Sequence, residues 1–84
     1  MINSIYSQNV MPLVKIRKEI DAVDNQLIPL LEKRFELVSQ LKPYKTVMTD
    51  PEREVAILSK IESRWIREVY CSLFMLSKRL LLMK

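Results

Sequence analysis

Residues 13 to 41 carry an apolar seam that few folds other than a long helix can use. Ile20, Leu27, Arg34 and Leu41 recur at spacing seven. Ile16, Val23, Leu30 and Leu37 fill the alternate positions, so the seam advances in steps of four and three along one helical face. One member is not apolar: Arg34 stands a heptad from Leu27 on one side and from Leu41 on the other. An unpaired buried guanidinium is costly, so the seam predicts something anionic at that level.

The chain has 84 residues, enough for one small domain. A domain of that size buries only about 60% of its unfolded surface. Its hydrophobic fraction is 49%, more than such a core readily absorbs, which predicts burial against a second copy. Glycine is absent. That argues against tight hairpins, phosphate-cradling loops and dinucleotide fingerprints together.

Histidine is absent too, and Cys71 is the single cysteine. Disulfide frameworks, ordinary zinc sites and every nucleophile–histidine arrangement are thereby excluded, and no metal or cofactor is expected. Cys71, set in an apolar pattern, reads as a small core residue. The opening "MINSIYSQNVMPLVK" lacks the apolar region of a secretory signal, and the terminal "LLLMK" is too short to span a bilayer. A cytoplasmic, reducing location is the expectation. Net charge is +4, from 14 Lys or Arg against 10 Asp or Glu. This leans towards anionic partners, but the basic residues are interspersed with acids, which argues against a nucleic-acid surface.

Residues 1–12 are polar without a clear period and read as a flexible segment ahead of a helical domain at 13–84. Pro12 suits the first turn of a helix, and Pro29 inside the seam predicts a kink, not an end. Pro43 marks the fraying end, and "KPYKTVMT" is a connection. Asp50 is a candidate N-cap with Pro51 at the first helical position. From there no Gly or Pro occurs. Leu58, Ile61, Trp65, Val69, Leu73, Leu76, Leu80 and Met83 form a stripe in steps of mostly three and four. The expected fold is all-α, with a long first helix followed by one long helix or two with a short link near Ser63 and Arg64. The missing turn residues favour near-continuous helix over residues 52 to 82.

Several polar groups interrupt these stripes. Glu54 lies four residues before Leu58, and Ser77 and Leu81 flank the last stripe. Lys45 lies three helical turns beyond Arg34 and would face the same way in a continued helix. The ordinary reading is a buried Arg34–Glu54 ion pair with Lys45 reaching to solvent. Arg17 adds a different one. It stands roughly 25 Å before Arg34 along the helix, too far for one small ligand to touch both in a single chain. In an antiparallel homodimer, Arg17 of one chain could approach Arg34 of the other. Arg17, Arg34 and Lys45 would then suit a compact dianion, each arginine gripping a carboxylate.

"IRKEIDAVDNQLIPLLEKR", Lys45, "DPERE" and "IREVYCSLFMLSKRLL", in that order, resemble the all-helical class of chorismate mutases over about residues 13 to 82. The first segment is the most specific, because both arginines, the "ID..D" pattern and the apolar spacing match together. The resemblance implies a three-helix protomer in an intertwined homodimer that rearranges chorismate to prephenate, on the shikimate route to phenylalanine and tyrosine. It implies that Arg34 binds one substrate carboxylate and that Arg17 from the other subunit binds the second. Lys45 would hydrogen-bond the ether oxygen and a carboxylate. Asp50, Arg53 and Glu54 would line the site, with Glu54 at the ring hydroxyl and Ser77 near a carboxylate. A pericyclic rearrangement needs no nucleophile, metal or general base, only a held conformer and positive charge at the breaking C–O bond.

Two features depart from the family pattern. Leu81 stands where a Gln or Glu normally assists at the ether oxygen, which predicts reduced turnover. "IESRWIREVY" is shorter than the usual connection between the second and third helices. The competing readings are a non-catalytic helical dimerisation or regulatory module, associated with another shikimate-pathway enzyme, and an isochorismate pyruvate lyase.

Overall fold

The computed structural model describes residues 2–44 and 50–83, with side chains described from residue 10 onward. It contains three helices: α1 (Ile2–Ser39), α2 (Pro51–Ser59) and α3 (Arg64–Leu82), with no strand among the described residues. The chain divides into two compact units, Met1–Glu32 and Lys33–Lys84.

The first unit is helix throughout its described length. Helix α1 has 38 residues, of which those from Ile2 to Glu32 belong to this unit. Pro12 and Pro29 both lie inside it, and the helix continues through each. Helical backbone is already present at Ile2, whereas the sequence pattern starts the helix near Pro12. Residues 2–11 hold no Gly or Pro, so nothing in them halts a helix once one has formed. Every side chain from Val10 to Leu30 is exposed, including the seam residues Ile16, Ile20, Val23 and Leu27.

The second unit begins inside α1. Beyond Ser39 the backbone tightens into i→i−3 hydrogen bonds, with Leu41 N donating to Val38 O at 2.9 Å and Tyr44 N to Leu41 O at 2.8 Å. Pro43, lacking an amide hydrogen, falls inside this tightened run. Helix α2 opens as its sequence predicts. The Asp50 carboxylate caps it by accepting from Arg53 N at 3.1 Å, and Pro51 occupies the first turn. Glu52 and Glu54 in that turn complement the positive end of the helix dipole.

Of the two arrangements left open by the sequence, two helices with a short link near Ser63 is the one found, and the favoured near-continuous helix over 52 to 82 is corrected to that extent. Residues 60–63 separate α2 from α3, and the two helices pack against each other. The turn is built without left-handed backbone: no described residue has positive φ, and Lys60 lies at φ −85°, ψ −9°. The amides of Lys60 and Ile61 donate back to Ile57 O and Leu58 O, each at 3.1 Å. Ser63 then accepts from Ile66 N at 3.4 Å and caps α3, while Arg67 Nε donates to Ile61 O at 2.6 Å. Such a turn needs no glycine, and so it leaves no glycine signal.

The side of α3 that is buried also differs from the predicted stripe. Leu73, Phe74 and Leu81 form the core, each under a tenth exposed, with Tyr70, Ser77, Lys78 and Leu80 half-buried. Trp65 is 72% exposed, and Val69, Leu76 and Met83 also face out. Of the stripe's α3 members only Leu73 is fully buried. Cys71, expected in the core, is exposed. Apolar residues surround most of α3, so their spacing alone could not select the side that meets α2.

Candidate active site

A cavity of about 90 Å³ opens within the second unit. The end of α1 and the turn after it contribute Arg34, Val38 and Leu41. Asp50, Arg53, Glu54 and Ile57 come from the start of α2, and Phe74, Ser77, Lys78 and Leu81 from α3. On one side Glu54, Phe74 and Lys78 continue into a wider surface groove of about 440 Å³. Arg34, Arg53, Asp50, Glu54, Ser77 and Leu81 were all expected at the site from sequence, and all six border this one cavity.

Arg34 is half-buried and held from several directions. Its Nη1 donates to Ser77 Oγ at 3.1 Å, and Ser77 Oγ in turn donates to Leu73 O at 2.6 Å. The serine hydroxyl is thereby oriented with its lone pairs towards the guanidinium. The Arg34 Cζ lies 5.6 Å from the Tyr70 ring centroid and 5.8 Å from that of Phe74. Those rings meet edge to face at 6.0 Å, forming an aromatic wall that favours the cation. Among the described residues Arg34 makes no ion pair.

The ordinary alternative, an Arg34–Glu54 ion pair, is not the one formed. Glu54 pairs with Lys78, whose Nζ stands 3.0 Å from Oε2 and 3.4 Å from Oε1. The sequence reading missed Lys78, together with Tyr70 and Phe74. A usable signal existed: Tyr70, Phe74, Ser77 or Lys78, and Leu81 recur at steps of three and four, a second face beside the stripe chosen.

The remaining residues divide clearly. The Asp50 carboxylate borders the cavity but is engaged in capping α2, which also fixes the start of the helix that carries Arg53 and Glu54. Leu81 is 7% exposed and presents an apolar wall. Arg17 lies exposed on α1 in the first unit. Lys45 falls outside the described residues. The cavity thus gathers three cations, Arg34, Arg53 and Lys78, against two carboxylates, one of them already a cap. Such an arrangement can bind an anion and place positive charge beside it, and the one hydroxyl among its described residues, Ser77, is committed to Arg34.

Among the described residues no group of His, Cys, Asp and Glu is arranged to hold a metal ion, and no helix is long and apolar enough to cross a membrane. No curated protein and no solved structure matches the chain. The family model for chorismate mutase type II matches residues 16–81, from the first unit of α1 to Leu81 on the cavity wall, and the chain belongs to that family.

Proposed function

We propose that the protein is a chorismate mutase that rearranges chorismate to prephenate at the Arg34 cavity. The observation that carries this reading is Arg34 itself. It is half-buried, oriented by Ser77 and walled by Tyr70 and Phe74, yet it has no carboxylate partner among the described residues although Glu54 borders the same cavity. A guanidinium prepared in this way is suited to a carboxylate of the ligand.

In the rearrangement the ether C–O bond breaks as a new C–C bond forms, within one cyclic set of electrons. No proton moves and no covalent intermediate forms. Catalysis then rests on holding the reactive conformer and on stabilising negative charge as it gathers on the ether oxygen. Arg34 grips one carboxylate and Lys45 serves the ether oxygen. Arg53 and Asp50 border the substrate, Ser77 sits near its carboxylate, and Glu54 meets the ring hydroxyl. Turnover is low because Leu81 cannot donate a hydrogen bond.

The second carboxylate is met by Arg17 of a second subunit, so the active form is a homodimer. Its support is the exposed seam on α1, where Ile16, Ile20, Val23, Leu27 and Leu30 are all exposed. Contiguous apolar surface of that extent favours association.

Purified protein incubated with chorismate is expected to form prephenate, followed by ultraviolet absorbance and chromatography. Pyruvate release from isochorismate would identify the lyase instead. No turnover of either at high enzyme concentration would leave the helical dimerisation module. Arg17→Ala and Arg34→Ala subunits, each inactive alone, are expected to regain part of the activity when mixed. Absence of recovery despite demonstrated subunit exchange would overturn the shared site.

A further inference from the structure

The half-buried pair between Lys78 and Glu54 is not explained by the roles assigned above. Lys78 borders the cavity beside Ser77, one turn of α3 before Leu81, and among the described residues its ammonium is the one cation there directly opposed by a carboxylate. The pair bridges α2 and α3, with its side chains 42% and 26% exposed respectively. A pair this open to solvent is screened and contributes little to stability, so its partners can be exchanged. The lysine stem is long and flexible, and its ammonium can turn about the stem to present any of three donors.

We propose that Lys78 is a catalytic residue, whose ammonium leaves Glu54 for an oxygen of the bound dianion and supplies part of the donor function that Leu81 lacks. The inference rests on the chorismate mutase reading. Three observations carry it. Lys78 and Leu81 are three residues apart on α3 and border the same cavity, so a donor is available on the wall where residue 81 is apolar. Glu54 holds the ammonium at 3.0 Å, which keeps it at the cavity in the absence of ligand. Arg34 is fixed by Ser77 and two rings, whereas Lys78 is held only by a solvent-open ion pair that a ligand can exchange. The exchange also releases the Glu54 carboxylate to accept from a hydroxyl of the ligand. Charge is conserved and no proton is transferred.

The alternative is that the pair only fastens α2 to α3. In that case Lys78→Met and Glu54→Gln should act through stability alone. The test measures chorismate turnover, prephenate binding by calorimetry and thermal unfolding for the wild type, Lys78→Met, Lys78→Arg and Glu54→Gln. The expected result is a fall of about 10²-fold in kcat for Lys78→Met, the scale of losing one donor at developing charge. Its unfolding should match Glu54→Gln, and Lys78→Arg should restore part of kcat. Lys78→Met turnover within twofold of an active wild type would overturn the Lys78 role and leave the assigned reaction standing. The same holds if Lys78→Met and Lys78→Arg lose activity only in proportion to lost folded protein. A wild type that neither turns over chorismate nor binds prephenate would remove the reaction, and the Lys78 role with it.

Discussion

The two units of the chain use similar apolar content to opposite ends. From Val10 to Leu30, α1 buries none of its side chains, although Ile16, Ile20, Val23, Leu27 and Leu30 line up at helical spacing. In residues 33–83, by contrast, Leu73, Phe74 and Leu81 are covered, and a cavity forms with Arg34 at its edge. The difference lies in connectivity. A turn at residues 60–63 lets α3 pack on α2, giving those helices a partner from the same chain. In the first unit the described side chains, from Val10 to Leu30, are exposed. An amphipathic helix gains most of its stability from packing, and the exposed seam is therefore the support for the proposed homodimer.

The sharpest way to break this comparison is Leu27→Ala. In the single chain Leu27 is 45% exposed, and its truncation there should change stability by no more than about 0.5 kcal/mol. Packed in a homodimer seam, the same change should cost about 3 kcal/mol and raise the dissociation constant of the dimer. Urea unfolding at several protein concentrations, with sedimentation equilibrium, reads both quantities. A concentration-independent midpoint that does not move would mean that the seam stays uncovered.

Leu81→Gln sharpens the other side, asking whether the cavity lacks a donor. It is expected to raise kcat about tenfold with a smaller effect on KM, because the new contact strengthens mainly as charge develops. If Lys78 already supplies part of that function, the gain should be larger in a Lys78→Met background than in the wild type, and this non-additivity reports their coupling. Steady-state kinetics on the four proteins tests it. An unchanged kcat in both backgrounds, in proteins that unfold normally, would place residue 81 outside the chemistry.

The smallest expected effect concerns the turn that separates the two behaviours. Ser63→Ala removes the α3 cap and should cost about 1 kcal/mol in urea unfolding. No loss would mean that the turn is held by the Arg67–Ile61 contact and the packing of α2 on α3 instead.

Much of this was legible in the residues. The absence of Gly, the seam and the stripe between them led to the all-α fold. Local chemistry also read correctly where it was self-contained: Asp50 and Pro51 start α2 because capping needs only neighbours in sequence. The odd position of Arg34 singled out one of the residues that border the cavity. The grouping of Arg34 with Arg53, Glu54, Ser77 and Leu81 came through family resemblance, since those residues are distant in sequence and no spacing rule joins them.

The tertiary structure decided what spacing leaves degenerate. With Leu80, Leu81 and Leu82 consecutive, α3 has apolar residues on several faces, and only packing against α2 selected Leu73, Phe74 and Leu81 over Trp65, Leu76 and Met83. The same packing brought Lys78 to Glu54 and left Arg34 with a serine and two rings, because ion-pair choice depends on which side chains converge, not on their charges alone. Residues 60–63 turned without glycine because every φ there stays negative, a solution open to ordinary residues and therefore silent in the sequence.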